Sequence, residues 1–539
     1  MKVNRNGFVR VLSGLIFLVF ILQTNLFAQE TEDMLDMSLD DILNMEVTTA
    51  SKSAEKLSDA PGVISVLSQD DLKRFGGTTL RDMLERVPGL ASSGANYTNR
   101  TTIAPRGDQI KQNSSHVLIL IDGRPIREVQ EGGVSSDVLE SFPVNIIERI
   151  EVIKGPGSVL YGSDAFSAVI NIIPKSAKEN GVSVTGLAQS GGGVLTFGDV
   201  TYSKGDLSII AAGRFMQKTE WEATMKSVTG SDSLTGLPII GSVDINIPNE
   251  GPGAFLNLKY KNLKLTSSFT QWTTYRVSGL SYDEVKLTKY FTNAGYSYTV
   301  NDNWDMDFNI TFTKAELLGE TISKRDNYNL VAEWSNAIRL GEKTKLMIGG
   351  LFNKNDGTEK GTSSGEVYSE GNVNSYAAYA QLDYQTLSNL KLIGGMQANK
   401  VDNIDLDVVP RGGVIWYPIE KVNVKALYSQ AFRAPSINEV NMDFRGTFLG
   451  NPDIGPEKVA TFDLSIGYQG EQSQVNVNVF RSSMTDIIQI VRNVEEGISM
   501  YQNNQDVIFV GAEVEGKYYV NSAWYLTGST LYQKNKNTV

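Results

Sequence analysis

The chain has 539 residues, of which 41% are hydrophobic, and a formal net charge of −12. The acidic balance argues against a nucleic-acid partner, because nucleic acid binds to a basic face. Cysteine is absent, which excludes disulfides and thiolate metal sites. Composition alone fits a membrane β-protein and a large soluble secreted protein equally well.

The first residues have the pattern of a secretory signal peptide. Lys2, Arg5 and Arg10 precede the apolar stretch 11–22, and Ala28 is a small residue suited to cleavage. The apolar stretch is shorter than the about 20 residues that a membrane helix needs, and no later segment approaches that length. We therefore predict a signal peptide over residues 1–28 and no helical membrane protein.

Residues 29–50 form an acidic lead that ends in a short β-prone segment. The lead carries six carboxylates between Glu30 and Asp41, and it is too short for an additional folded domain. The segment Glu46-Val47-Thr48-Thr49-Ala50 follows directly. By itself it fits an ordinary first strand or a linker.

Residues 51–178 have the pattern of a small α+β domain. Val63–Leu67 predicts a strand, and Ser68–Asp71 predicts a capped helix start with an acidic first turn. A second helix begins at Thr78 and ends before Pro88-Gly89. The uninterrupted apolar run Val117–Ile121 predicts a strand that is buried on both faces, followed by a turn at Asp122-Gly123.

The segment Ile147–Lys154 mixes apolar and charged positions. Its isoleucines and valine predict a strand with one buried side, and Glu148, Arg149, Glu151 and Lys154 supply charge. The charges fit a solvated face. They also fit pairing with a polar wall around the domain.

From residue 179 to 539 the sequence changes to alternating strands with short turns. Residues 304–312 place apolar side chains at every even position and polar ones at the odd positions between them. The pattern repeats over 462–468 and 475–479, and Lys261-Asn262 predicts a tight hairpin turn. Apolar outer and polar inner faces are typical of a membrane barrel, although a soluble β-sandwich also alternates.

Four motifs in the first domain resemble the plug of TonB-dependent outer-membrane receptors. They are, in order, Ile121–Pro125, Ile147–Val152, Lys154–Ser158 and Leu160–Ala165. A second block resembles the barrel of the same family: Tyr428–Ser436, Gly450–Ile454 and Pro456-Glu457, with a weaker match at Gly511–Glu513. The resemblance implies an antiparallel all-β membrane barrel of about 22 strands with the α+β plug in its lumen. The chain ends in the polar residues 534–539, without the aromatic residue that ends family members, so we expect the barrel to be incomplete at its C-terminal end.

The resemblance also implies roles for individual residues. Glu46, Val47, Thr48, Thr49 and Ala50 occupy the position of the TonB box, which the energising partner captures by strand addition. The expected plug–barrel contacts are Arg106, Arg124, Glu148, Arg149, Glu151 and Lys154. The expected ligand contacts are Asn96, Tyr97, Asn99, Arg100, Arg127, Phe444 and Arg445, although each also fits a loop residue without a role.

The implied function is active uptake of a scarce ligand across the outer membrane. The implied partners are the TonB complex, with ExbB and ExbD in the inner membrane, a small-molecule ligand such as a metal chelate, and outer-membrane lipid. As the transported ligand we expect a ferric siderophore first and cobalamin second. Haem ranks lower because haem receptors of the family carry a histidine between the two barrel motifs, and this chain has none between Pro435 and Asn451.

Two other classes of function remain open at this point. An adhesin or passive pore would use the plug only as a cork, and would need neither a TonB box nor an energy source. An enzyme finds no support, because no catalytic constellation is present and the single histidine, His116, is interpreted as structural. No cofactor and no resident metal are expected.

Overall fold

The computed structural model describes residues 46–93, 102–108, 114–134, 136–189, 192–231, 238–278, 281–495, 497–521 and 524–538. The predicted signal peptide, the acidic lead up to residue 45 and Asn96, Tyr97, Asn99 and Arg100 lie outside these ranges. Over the described ranges, no helix has both the length and the apolar character needed to cross a membrane.

The first domain is built on a five-stranded sheet in the order β3-β8-β9-β6-β7. All neighbours are antiparallel except β6 and β9, which are parallel. Its strands are β3 (Ile64–Ser68), β6 (Val117–Ile121), β7 (Arg124–Ile126), β8 (Ile147–Lys154) and β9 (Ala168–Pro174). Two small sheets accompany it: β1 (Glu46–Val47) with β2 (Glu55–Lys56), and β4 (Leu90–Ser93) with β5 (Thr102–Pro105).

The described residues also contain five short α-helices: α1 (Gln69–Phe75), α2 (Leu80–Leu84), α3 (Ser136–Ser141), α4 (Ser158–Tyr161) and, much later in the chain, α5 (Ile437–Asn441). A 3₁₀ turn covers Val144–Ile146. Ser68 and Thr79 each form a capping box, with Asp71 and Asp82 respectively, so two backbone donors at each helix start are satisfied. The predicted helix starts are confirmed at these two sites.

The central hairpin of this domain follows from its sequence. All five residues of β6 are buried, which confirms that both faces of the strand are covered. Asp122 and Gly123 have φ angles of +52° and +78°, and they connect β6 to β7 with Ile121 opposite Arg124. The predicted turn is therefore present, because both residue types tolerate the left-handed backbone region.

The second domain is one sheet of 19 strands, β10 to β28, and it is antiparallel apart from a short parallel pairing of β24 with β27. Two of them, β23 (Asp443–Phe444) and β24 (Phe448–Leu449), form a hairpin in a loop, and the wall continues by pairing of β22 with β25. Within the described residues, β10 and β28 are the edge strands of the sheet. The wall strands are β10 (Gly181–Gln189), β11 (Gly193–Lys204), β12 (Leu207–Ser231), β13 (Pro238–Tyr260), β14 (Leu263–Ser278), β15 (Ser281–Asn301), β16 (Trp304–Gly319), β17 (Ser323–Arg339), β18 (Thr344–Gly361), β19 (Val367–Leu387), β20 (Leu390–Val401), β21 (Asp407–Ile419), β22 (Val422–Arg433), β25 (Glu457–Gln469), β26 (Ser473–Glu495), β27 (Ile498–Tyr519) and β28 (Tyr525–Asn537).

The wall has the predicted alternation. On β16 the side chains of Phe308 and Ile310 are 45% and 58% exposed, whereas Asn309 and Thr311 are buried. The exposed apolar side faces lipid, and the buried polar side faces the lumen, where the first domain sits. Plug side chains such as Phe142 share one apolar cluster with barrel side chains such as Phe255, so the first domain fills the barrel and is in contact with its wall.

Candidate functional site

The segment Glu46–Ala50 is docked against the plug. Its strand β1 pairs with β2, and Val47 and Ala50 are buried. Both Thr48 N and Thr49 N donate hydrogen bonds of 3.0 Å to Glu151 Oε2, and Thr49 Oγ1 donates to the same oxygen at 2.5 Å. Glu151 Oε2 thus binds two backbone donors of the predicted coupling segment. Tyr161 Oη and Arg411 Nη1 donate to the carbonyl oxygens of Thr49 and Ala50, at 2.9 Å each.

The other oxygen of Glu151 is bound inside the plug. Arg149 Nε donates to Glu151 Oε1 at 2.9 Å, and the Arg149 guanidinium forms an ion pair with it. Arg149 and Glu151 were expected to touch the barrel, but they pair with each other, because side chains two positions apart on a strand share one face. Glu148 has no ion-pair partner among the described residues.

Three of the expected plug–barrel contacts do reach the wall. Arg106 donates to Asp463 Oδ1 at 3.0 Å and to both oxygens of Glu513 at 3.1 Å. Lys154 Nζ lies 3.6 Å from carboxylate oxygens of Glu513 and Glu515. These charges are almost fully buried, except for Glu515, so plug and wall neutralise each other in the lumen.

Arg124 contacts the wall on a different side of the plug. Its Nη1 donates to Glu333 Oε2 at 2.7 Å, and Lys52 forms an ion pair with Glu333 Oε1. Tyr379 Oη also donates to Oε1, at 3.0 Å. One barrel carboxylate thus binds both the plug hairpin and Lys52, which lies two residues after Glu46–Ala50.

His116 lies in a buried charge network between plug and barrel. Its Nδ1 is 2.8 Å from Asp108 Oδ2, and its Nε2 is 2.8 Å from Glu457 Oε2. Burial opposes the charged imidazolium, but the two carboxylates outweigh it and raise the pKa of His116 above its usual 6.5. Arg433 extends the network, because it pairs with Glu457 and with both oxygens of Glu439. The structural role predicted for His116 fits this position.

The plug loop that precedes α3 packs against α5 and the strand ends around it. Gln130 Nε2 donates to Asn438 Oδ1 at 2.7 Å, and Asn438 N donates back to Gln130 O at 2.8 Å. Glu131 forms an ion pair with Arg325. Burial is the main cause that raises the pKa of Glu131 to about 7, against the opposing charge of Arg325.

The expected ligand contacts are not brought together by the structure. Arg127 is buried, and its Nη2 donates to the carbonyl oxygens of Tyr161 and Ser163 inside the plug. Phe444 packs edge-on against Tyr368 with ring centroids 4.8 Å apart, and the exposed Arg445 lies 3.4 Å from Glu366. Among the described residues, no ion pair or hydrogen bond joins Arg127 to the Phe444–Arg445 hairpin.

Comparison with known proteins agrees with this architecture over both domains. Residues 56–169 match the family model of the TonB-dependent receptor plug domain, and residues 231–538 match that of the TonB dependent receptor-like β-barrel. The chain belongs to the TonB-dependent receptors. It is therefore an outer-membrane protein, in a family of receptors and transporters.

Individual relatives cover most of this receptor. The vitamin B12 transporter BtuB of Vibrio vulnificus (strain CMCP6) is 26% identical over 512 residues, which cover 89% of this chain and 76% of that protein. A mutant of the ferric enterobactin receptor PfeA from Pseudomonas aeruginosa superposes with a TM-score of 0.69 at 17% identity, covering 91% of this chain and 82% of the other. The siderophore receptor PirA from the same organism gives 0.65 at 18% identity, over 88% and 85%. These structures share the fold.

Several residues that join plug and barrel were not predicted as site residues. Glu457 and Arg433 stand in the motifs that carry the family resemblance. The sequence therefore singled out these positions, but it did not show that they join plug and barrel. Glu513 also stands in such a motif, whereas Glu333 and Asp463 stand at polar positions of alternating strands, which look alike throughout the wall. A buried carboxylate can be told from an exposed one only when the plug is in place.

We expect Arg106→Ala to loosen the plug. The substitution leaves Asp463 and Glu513 buried without their cation, and breaking a buried pair in this way costs about 3–5 kcal/mol. Protease cleavage of the plug should therefore increase in outer membranes that contain normal amounts of receptor. Arg86→Ala, at an exposed position near α2, is the control. Equal protease resistance of the two variants would contradict the role assigned to Arg106.

We expect the seating of the plug to weaken as pH rises above neutral. Because the pKa of His116 is raised in the folded state, its contribution to the free energy that holds the plug in the barrel is complete below about pH 6.5. That contribution is lost as the pH rises through the raised pKa. The pKa of Glu131 is also raised, to about 7, so its contribution to stability falls with rising pH as well. Comparison of the wild type with His116→Asn isolates the contribution of the histidine. Urea resistance of the detergent-solubilised receptor should fall with pH more steeply in the wild type than in the variant. Parallel curves would exclude the histidine as the cause.

Proposed function

We propose that this receptor takes up a scarce small-molecule ligand across the outer membrane, driven by TonB with ExbB and ExbD. The observation that carries the proposal is the docked segment Glu46–Ala50 at the start of a plug that fills the barrel. It is extended, β-prone and held by a few hydrogen bonds, which suits capture by strand addition. A plug that served only as a cork would need no such segment, which disfavours an adhesin or a passive pore.

For the cargo we propose a ferric siderophore first and cobalamin second. The vitamin B12 transporter that matches 89% of the chain supports cobalamin. The siderophore receptors of similar fold support a metal chelate. The absence of histidine between Pro435 and Asn451 argues against haem.

We also propose that the protein catalyses no reaction. Its single histidine lies between two carboxylates and is 2% exposed, so it is not available to activate a nucleophile. Asp108 and Glu457 occupy both of its ring nitrogens. The remaining buried charges that we have described serve the seating of the plug.

Growth on single nutrient sources tests the cargo. A strain that lacks the receptor is complemented with the full-length gene and supplied with one ferric siderophore at a time, or with cobalamin, as the only source of iron or of the vitamin. Rescue by one of these sources identifies the cargo class. Rescue by haemin alone would overturn the proposal, and retained growth without TonB would exclude energised transport.

We expect Thr48→Pro and Val47→Pro to abolish accumulation of ligand in the cell while surface binding stays near the wild-type value. Proline removes a backbone donor and restricts its neighbour, and at Thr48 the donor is the one bound to Glu151. Thr49→Ser keeps the hydroxyl that bonds Glu151, so it should be nearly silent. Radiolabelled ligand measures both quantities. Normal uptake by the proline variants would mean that the segment is only a linker.

A further inference from the structure

One short stretch of the plug touches both the coupling segment and the elements at the opposite end of the barrel. It consists of α4 and the turn that follows, and we call residues Ser158–Asp164 the α4 turn. All four residues of α4 are buried, and the helix packs against β19 to β22. Gly162 and Asp164 have φ angles of +76° and +74°, so the chain reverses within a few residues. The α4 turn is therefore a compact unit with its surroundings packed around it.

The plug loop that begins at Arg127 is bonded to the α4 turn. Arg127 Nη2 donates to the carbonyl oxygen of Ser163 at 2.9 Å and to that of Tyr161 at 3.3 Å. The guanidinium also forms an ion pair with Asp164, with Arg127 Nε 3.4 Å from Oδ2. Arg127 is 6% exposed, and such contacts are stronger away from water. A displacement of Arg127 must therefore move the backbone of the α4 turn or break these contacts.

The barrel segment that leads into α5 binds the same turn. Ala434 N donates to Ser163 Oγ at 3.1 Å. The helix α5 in turn binds the plug loop just after Arg127, since Asn438 N donates to Gln130 O and Gln130 Nε2 donates to Asn438 Oδ1. The plug loop and the barrel segment thus hold each other, and both hold the α4 turn.

These contacts lie at the far end of the barrel from the coupling segment. Strand β22 shows the separation, because Lys425 near its start binds the carbonyl oxygen of Ala60, and Arg433 at its end precedes α5. A strand rises about 3.3 Å per residue, so Lys425 and Arg433 are roughly 25 Å apart. The plug loop at Arg127 therefore faces the mouth opposite to the one where Glu46–Ala50 is docked.

The side chain of Tyr161 connects the α4 turn to the coupling segment. Tyr161 Oη donates a hydrogen bond of 2.9 Å to the carbonyl oxygen of Thr49. The residue is 8% exposed, and the Lys52 ammonium lies 4.9 Å from the centre of its ring. Tyr161 is thus bonded at both ends, because its main-chain oxygen accepts from Arg127 and its phenol donates to the segment.

We propose that the α4 turn couples the plug loop at Arg127 to the docking of the coupling segment, with Arg127 and Tyr161 as positioning residues. The inference rests on the proposed role of Glu46–Ala50 and assigns the contacts that regulate its release. While Arg127 holds the carbonyl oxygens of the α4 turn, the phenol is aligned with Thr49 O. A change at the outer mouth that draws Arg127 away frees the turn, and the hydrogen bond to Thr49 weakens with it. Coupling of this kind needs contiguous contacts, and Tyr161 supplies them within one residue.

A spin label on the coupling segment tests this coupling without ligand and without TonB. The chain has no cysteine, so Glu46→Cys, at an exposed position, gives a single labelling site. In detergent-solubilised receptor, the ratio of mobile to immobilised label measures how far the segment is undocked. Tyr161→Phe keeps the ring and removes the hydroxyl, and we expect it to raise this ratio about fivefold, as for the loss of one hydrogen bond. Arg127→Gln, which does not touch the segment, should raise the ratio to a similar extent.

The double variant separates coupling from two independent losses. Arg127→Gln combined with Tyr161→Phe should raise the ratio no further than the larger single effect. Thr49→Val is the matched control, because it loosens the same segment by removing the hydroxyl that bonds Glu151, outside the α4 turn. Its effect should multiply with that of Arg127→Gln. Arg106→Ala breaks a plug–barrel contact elsewhere, so it should leave the ratio near the wild-type value.

Four results would overturn the coupling. They are an unchanged ratio in Arg127→Gln, effects of Arg127→Gln and Tyr161→Phe that multiply, effects of Arg127→Gln and Thr49→Val that do not, and a rise in Arg106→Ala as large as in Arg127→Gln. Failure of the proposed function is seen separately. A wild-type receptor that imports neither a ferric siderophore nor cobalamin contradicts the cargo, and uptake without TonB contradicts the energy source. Neither result alters the ratio measured without ligand.

Discussion

The need to satisfy polar groups away from water organises this receptor. In lipid, the wall must pair its backbone within the sheet and turn its polar side chains inward. The lumen is then lined with amides and charges, and the plug that fills it must offer partners for them. Arg106 shows the consequence: it is buried because Asp463 and Glu513 are buried opposite it. The plug is seated by charge compensation as well as by apolar packing.

Charge compensation also explains which contacts hold the plug most firmly. A buried pair costs desolvation, and it resists separation because each partner would be left as an unpaired charge. A neutral amide or hydroxyl leaves a smaller penalty, which water can offset. The charged barrel side chains therefore hold the plug most firmly, at Lys391, Lys425 and Lys517 on β20 to β27 and at Lys264, Arg325 and Glu333 on β14 and β17.

The sequence predicted those features that have a local cause. Alternation along β16 and β25, the Asp122-Gly123 turn and the capped start of α1 each depend on neighbours within a few residues. Pairs such as Arg106 with Asp463 are separated by 357 positions, and nothing in the local pattern marks one wall carboxylate as the partner. For Arg127 the local pattern was misleading. A charged loop residue suggests exposure, but the structure buries Arg127 against carbonyl oxygens of the plug.

Two carboxylates hold the proposed coupling segment and the residue Lys52 beyond it; in the proposed role the segment must be held at rest and yet be free to leave. Glu151 Oε2 accepts hydrogen bonds from Thr48 N and Thr49 N, and Oε1 accepts one from Arg149 Nε. Hydrogen bonds to a charged group each contribute about 1.5–3 kcal/mol, so a few of them hold the segment firmly. When it leaves, Arg149 remains, and no buried carboxylate is left without a cation. Glu333 repeats the arrangement, with Lys52 on Oε1 and Arg124 on Oε2. If the segment and Lys52 leave as proposed, hydrogen bonds and one ion pair are broken, but Glu151 keeps Arg149 and Glu333 keeps Arg124.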